Sequence, residues 1–218
     1  MAQILASGAP LARARAAAIL VHGRGASAAD ILSLGEEFGF DDIAYLAPQA
    51  ENGAWYPYSF LAPLAQNEPH LTDALGVIGA ALAQLAREGF PPARVALIGF
   101  SQGGCLALEY AARNAKRYGA IAGLSAGLIG PLGLPRDYPG SFAGTPVFLG
   151  CSDVDSHVPL ARVNESRDVL TRMGAAVTER IYPGMGHTVN ADEIAHIAKL
   201  LAAITRDAAP HGEASRRS

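Results

Sequence analysis

A chain of 218 residues, 50% hydrophobic and 17% charged, carries enough apolar side chains for one domain and is not disordered throughout. Its formal charge of −3, from 17 Lys and Arg against 20 Asp and Glu, leaves no electrostatic footprint for a nucleic acid. Two cysteines, Cys105 and Cys151, make no disulfide framework, and no apolar run reaches the roughly 18–20 residues of a membrane span.

The first apolar run, 17–21 (AAILV), closes on His22-Gly23, and a second, 43–46, closes on Ala47-Pro48. Between 52 and 64 the string NGAWYPYSFLAPL crowds Trp55, Tyr56, Tyr58 and Phe60 together amid Gly and Pro, breaking the rhythm of regular elements. Residues 71–87 then place Leu71, Leu75, Ile78, Leu82 and Leu85 at spacings of three and four, the stripe of an amphipathic helix. VALIGF at 95–100 reads as a strand. Residues 102–113, with Leu106, Leu108 and Tyr110 among alanines, read as the helix directly after it. AIAGL at 120–124 is a further strand, followed by a loop at 130–144 with three prolines and four glycines. Strands at 147–149 and 177–182 alternate with helices at 160–173 and 191–204, and Gly174 stands where a helix C-cap is expected.

Short apolar runs closed by Gly or Pro suit strands buried on both faces, as parallel sheets require. Their alternation with helices predicts a doubly wound α/β fold, a mostly parallel sheet with helices on both faces. No interdomain linker and no repeat is visible, so residues 1–205 are expected to form one domain and 206–218 a frayed tail. The apolar stretch 16–21 is too short for a signal peptide core, and a soluble, cytoplasmic protein is expected.

The pentapeptide G-x-S-x-G occurs twice, at 99–103 around Ser101 and at 123–127 around Ser125. A nucleophile elbow needs a strand before the serine and a helix directly after it, so that the turn lifts the hydroxyl above the sheet. Ser101 has that context. Ser125 has the strand, but Leu128-Ile129-Gly130-Pro131 then leads into the loop, which predicts a strand-end residue near the site. A serine hydroxyl is a poor nucleophile until a histidine takes its proton and a carboxylate orients that histidine. In this fold the order along the chain is Ser, then Asp or Glu, then His. His187 lies between the last strand and the last helix, on the same sheet edge as Ser101. His157, His196 and His211 compete by order alone; the first lies too close to the candidate acids, the second inside a helix, the third in the tail. Asp153 and Asp155 both follow the strand at 147–149, and position does not separate them. The turn His22-Gly23-Arg24-Gly25 ends an early strand, which nominates the backbone N–H groups of Arg24 and Gln102 as an oxyanion hole. No phosphate-cradling glycine loop is present. The single E-x-x-H at Glu193–His196 lacks the second copy a metal bundle requires, so no metal is expected. Cys105, one turn past Ser101, reads as core packing.

The strings H-G-R-G (22–25), G-F-S-Q-G-G (99–104), D-S-H-V-P (155–159) and P-G-M-G-H (183–187), in this order and spacing, resemble the phospholipase/carboxylesterase family of α/β-hydrolases, which includes the acyl-protein thioesterases. The likeness runs from about residue 17 to 204. It implies hydrolysis of carboxylic esters or thioesters, no cofactor and no large cap domain. It also implies Asp155 as the acid, four residues before the Pro159 of the V-P pair, with Ser101, His187 and the amides of Arg24 and Gln102 completing the site. Relatives acting on lipidated proteins commonly carry a small apolar residue where this chain has Arg24, so the likeness does not extend to a long-chain acyl-protein substrate. The aromatic segment follows the strand at 43–46 and should hang over the same sheet edge as Ser101. Trp55, Tyr56, Tyr58 and Phe60 then read as the wall of an acyl pocket, or as a loop packed on the core. Arg24 reads equally as a binder of a substrate carboxylate or phosphate and as an exposed structural arginine. The expected partner is a small-molecule ester or thioester, and a homodimer is allowed. A catalytically silent binding protein of the same fold, or an enzyme acting on another bond, are the competing readings.

Overall fold

Residues 2–207 are described by a computed structural model. Strand β1 (Ile4–Gly8) precedes β2 (Ala16–Val21), helix α1 (Ala28–Glu36), β3 (Ile43–Pro48), the one-turn α2 (Leu64–Asn67) and α3 (His70–Arg87). Then come β4 (Val95–Phe100), α4 (Gln102–Arg113), β5 (Ala120–Leu124), β6 (Pro146–Ser152), α5 (Leu160–Arg172), β7 (Ala176–Tyr182) and α6 (Ala191–Asp207). The seven strands form one sheet in the order β1-β3-β2-β4-β5-β6-β7. Every neighbouring pair is parallel except β1 with β3, which runs antiparallel from Ile4 opposite Pro48 to Gly8 opposite Ala44.

The period of two places alternate residues of each strand on opposite faces, and β2 shows why its run is apolar throughout. Ala17, Ile19 and Val21 join the core shared with Leu71, Ile78 and Leu82 of α3, Leu106 of α4 and Val163 of α5. Ala16, Ala18 and Leu20 join the other, with Ile31 and Leu32 of α1 and Ile197 and Leu201 of α6. Helices therefore cover both faces, and the single domain matches the architecture expected from the sequence.

Three elements were not foreseen: β1, α1 and the one-turn α2 that follows the aromatic segment. The edge strand β1 is short and only partly buried, so its hydrophobic pattern is faint. Helix α1 is announced instead by a capping box: Ser27 Oγ accepts from the Asp30 amide at 3.3 Å, and Asp30 Oδ2 accepts from the Ser27 amide at 2.7 Å. The strict alternation also fails twice, because no helix separates β1 from β2 or β5 from β6. The loop after β5 is tied down by Arg136, which donates to Ile129 O at 2.6 Å and to Tyr138 Oη at 2.9 Å, and by Tyr138, which donates to the buried Glu109 carboxylate at 2.9 Å. Helix α6 runs to Asp207, past the expected start of the tail; residues 208–218 lie outside the described residues.

Candidate active site

The carboxyl ends of β2, β4, β6 and β7 share one edge of the sheet, where open α/β folds bind ligands. Ser101 sits between β4 and α4 with φ 54° and ψ −124°, a conformation costing a non-glycine residue on the order of 1–3 kcal/mol. Its amide donates to Leu124 O at 2.8 Å, fixing the turn against β5. Gly103 makes the turn possible: a Cβ there would collide with the carbonyls of Val21 and His22 at the end of β2. Ser125 also has positive φ, at 44°, but no helix follows it. It is fully buried, its amide donates to Gly150 O at 2.7 Å, and it does not line the cleft around Ser101.

His187 Nε2 lies 2.8 Å from Ser101 Oγ, and its Nδ1 lies 2.8 Å from Asp155 Oδ2. A carboxylate only accepts, so Nδ1 carries the proton and Nε2 is free to accept from the serine hydroxyl. The other oxygen of Asp155 accepts the amides of His157 at 2.8 Å and Val158 at 3.0 Å, which locks the carboxylate in place. Burial alone would raise the Asp155 carboxyl, but the hydrogen bonds from His187, His157 and Val158 outweigh it and hold the group below its usual value. Asp153 points elsewhere: it is exposed, and its carboxylate accepts the Gly184 amide at 2.8 Å, bracing the turn that carries His187. Of the other histidines, His196 stacks on Phe148 with ring centroids 4.3 Å apart, and His211 lies outside the described residues. His157 packs edge-on against His187 at 4.7 Å and lines the cleft, a neighbour that its position in the chain did not suggest.

The turn after β2 is built around a buried histidine. His22 Nε2 accepts the Ala50 amide at 3.1 Å, so Nδ1 bears the proton and donates to Gly23 O at 2.8 Å. Burial pushes its pKa down against that hydrogen bond, which keeps the ring neutral. A Cβ on Gly23 would lie 3.3 Å from the Cβ of Ser101, so the turn runs directly beside the serine. The amide of Gly25 is committed to Gly53 O and that of Ala26 to Gly23 O. Gln102 is the first residue of α4, and its amide belongs to the four N–H groups that a helix leaves without intrahelical partners. Arg24 and Gln102 both line the cleft beside Ser101.

The cleft has a volume of about 310 Å³, near the lower end of small-molecule sites, roughly 300–1,000 Å³. Tyr56, Tyr58 and Phe60 line it on one side, and His157 and Val158 are also among its lining residues. Trp55 does not line it. A buried indole N–H needs an acceptor, and Trp55 Nε1 finds one in His22 O at 2.8 Å, with its ring 5.0 Å from the His22 ring. Trp55 is thus part of the scaffold behind the wall. A larger hollow of about 700 Å³, bordered by Gln49, Glu51, Trp55, His70 and Asp73, includes none of Ser101, Asp155 or His187. Cys105 also touches the cleft, but burial pushes its thiol up to about 12, so it stays neutral. Among the described residues no cluster of three or more His, Cys, Asp or Glu could hold a metal ion, and no helix is long and apolar enough to cross a membrane.

The solved structure of a phospholipase/carboxylesterase from Dyadobacter fermentans DSM 18053 is similar, with 45% sequence identity and a TM-score of 0.89, covering 93% of this chain and 97% of that one. The acyl-protein thioesterase 1 of Neurospora crassa is 26% identical over 214 residues, 88% of this chain and 87% of that protein. That of Gibberella zeae is 32% identical over 119 residues, 52% of this chain and 49% of its relative. The phospholipase/carboxylesterase family model matches residues 4–205, nearly all that the structure describes. The chain therefore belongs to the phospholipase/carboxylesterase family of ester hydrolases.

Proposed function

We propose that the protein is a serine carboxylesterase for small to medium acyl esters and thioesters, with Ser101 as nucleophile, His187 as general base and Asp155 as the orienting acid. One observation carries the reading: the unbroken relay from Ser101 Oγ through His187 to Asp155 Oδ2, with both links at 2.8 Å. Ser101 Oγ attacks the acyl carbon as its proton passes to His187 Nε2. Negative charge collects on the former carbonyl oxygen, where the amides of Arg24 and Gln102 stabilise it. The imidazolium, held by Asp155, returns the proton to the leaving alkoxide or thiolate, which departs and leaves the acyl-enzyme. Water then repeats the sequence, giving up a proton to His187 and releasing the acid and free Ser101.

The 310 Å³ cleft supports acyl chains of roughly two to eight carbons. The acyl-protein thioesterase relatives support including thioesters, and the alcohol or thiol side is a small molecule. The test is labelling by a fluorophosphonate together with hydrolysis of p-nitrophenyl esters from acetate to palmitate and of matched thioesters. Covalent modification at Ser101 and a maximum at short to medium chains are expected. A folded protein that resists the probe is a silent binding protein, and palmitate turned over faster than butyrate overturns the size limit.

A further inference from the structure

The segment 55–60 forms the aromatic wall of the cleft without any helix or strand of its own, yet side chains from elsewhere hold its backbone along its length. The Trp55 amide donates to Gln102 Oε1 at 2.9 Å, and Gln102 Nε2 donates to Tyr56 O at 2.8 Å. The Arg24 guanidinium donates to three successive carbonyls: Tyr56 at 2.8 Å, Pro57 at 3.0 Å and Tyr58 at 2.8 Å. The buried Asn67 accepts the Tyr58 amide at 2.9 Å and donates to Ser59 O at 3.0 Å. Gly130 closes the series by donating to Phe60 O at 2.7 Å. A loop lacks the repeating ladder that satisfies a helix or strand, so its backbone is fixed only where such outside partners reach it. A rigid fork of donors suits three neighbouring carbonyls as a point charge does not.

We infer that Arg24, with Gln102 and Asn67, is a positioning residue that sets acyl-chain selectivity by clamping the pocket wall. The inference rests on the esterase reading above. It also replaces an open alternative: the guanidinium is engaged with the wall and does not serve as a receptor for a substrate anion. Arg24 and Gln102 would then act twice, their amides on the oxyanion and their side chains on the wall, so the acyl pocket and the oxyanion hole are held in one register. Loosening the wall removes contacts that grow with chain length and costs binding shared by ground and transition states, which appears in KM.

The experiment measures kcat and KM for p-nitrophenyl esters from acetate to octanoate in the wild type, Arg24→Met and Arg24→Lys. It adds a p-nitrophenyl hemisuccinate and follows hydrogen–deuterium exchange across 55–60. Methionine keeps an apolar stem and removes every donor. The expected result is that Arg24→Met flattens the chain-length profile, lowering the ratio of kcat/KM for the best chain to that for acetate about tenfold, mainly through KM. Exchange in 55–60 should speed up about as much, and lysine should restore less than half of either effect. An unchanged profile for neutral esters, with hemisuccinate turnover lost in Arg24→Met and recovered in Arg24→Lys, would show an anion receptor and overturn the proposal. So would unchanged exchange. Fluorophosphonate labelling of the wild type separates the two levels: if Ser101 is not labelled, the esterase reading has failed, whereas labelling with an insensitive profile sinks the clamp alone. Should Arg24→Met not fold, Gln102→Ala removes the clamp's other half, and the same exchange and profile changes are required of it.

Discussion

Replacing Asp155 by Asn tests the relay most directly, because the structure dictates which way the new amide must point. One Asp155 oxygen accepts two backbone amides, from His157 at 2.8 Å and Val158 at 3.0 Å. An amide NH₂ cannot face two N–H donors, so the carboxamide oxygen must take that place. The NH₂ is then turned toward His187 Nδ1, where the carboxylate oxygen lay at 2.8 Å. It donates to Nδ1, which forces the ring proton onto Nε2 and aims an N–H at Ser101 Oγ. The base is then in the wrong tautomer, and no carboxylate remains to stabilise the imidazolium. In the serine-protease precedent the same change costs about 10⁴ in kcat, equivalent to about 5.5 kcal/mol of barrier. Asp153→Asn should cost less than about tenfold, since an amide oxygen still accepts the Gly184 N–H that Asp153 holds at 2.8 Å. The assay is kcat on p-nitrophenyl butyrate for both variants, with circular dichroism to verify the fold. Near-normal turnover in Asp155→Asn, or a collapse confined to Asp153→Asn, refutes the reasoning.

Ser101→Ala should lower kcat by on the order of 10⁴–10⁶ and abolish fluorophosphonate labelling, while Ser125→Ala keeps both; comparable losses in two folded variants would mean that the second pentapeptide shares the chemistry. Burial pushes the Glu193 carboxyl up to about 7 despite its hydrogen bond from the Asn190 amide, so the native state keeps a proton that the unfolded chain releases near pH 4.3. Stability from this group is present below about pH 4.3 and is lost as pH rises through about 7. Glu193→Gln should therefore gain roughly 5 °C or more in Tm over the wild type between pH 5 and pH 8, and a pH-independent difference counts against it. Trp55→Ala should cost about 3–5 kcal/mol of stability by emptying a buried ring site, whereas the 57%-exposed Tyr58 should tolerate alanine with little change in Tm and a raised KM. Thermal melts and ester kinetics on the two variants decide this, and the reverse pattern would place Trp55 in the pocket.

Much of the candidate site was legible in the order of residues, because each proposed catalytic group follows a strand whose end the sequence marks. VALIGF before Ser101 and the helical pattern after it distinguish this serine from Ser125, although both adopt positive φ. The final strand–helix junction likewise marks His187. Other features left signals that were weaker or differently placed. Helix α1 is written in a capping box rather than in a long apolar stripe. The edge strand β1 is only partly buried and so lacks the continuous apolar run by which the central strands are recognised.

What the sequence by itself determined is the class of fold, and it nominated the serine, the histidine and the pair of candidate acids, since strand burial and the strand–turn–helix elbow are local patterns. Position in the chain left Asp153 and Asp155 open, and only the family resemblance favoured Asp155; the tertiary structure separates the two by their contacts. The two lie in one loop, and only the three-dimensional course of that loop turns Asp155 toward His187 and Asp153 toward Gly184. It alone separated Trp55 from Tyr56, Tyr58 and Phe60, because four aromatics in one segment look alike until the buried indole finds the His22 carbonyl. The partners of the Arg24 side chain were decided there too. Its partners lie 32–34 residues along the chain, and no spacing rule encodes a hydrogen bond to a backbone carbonyl, since every residue type offers one.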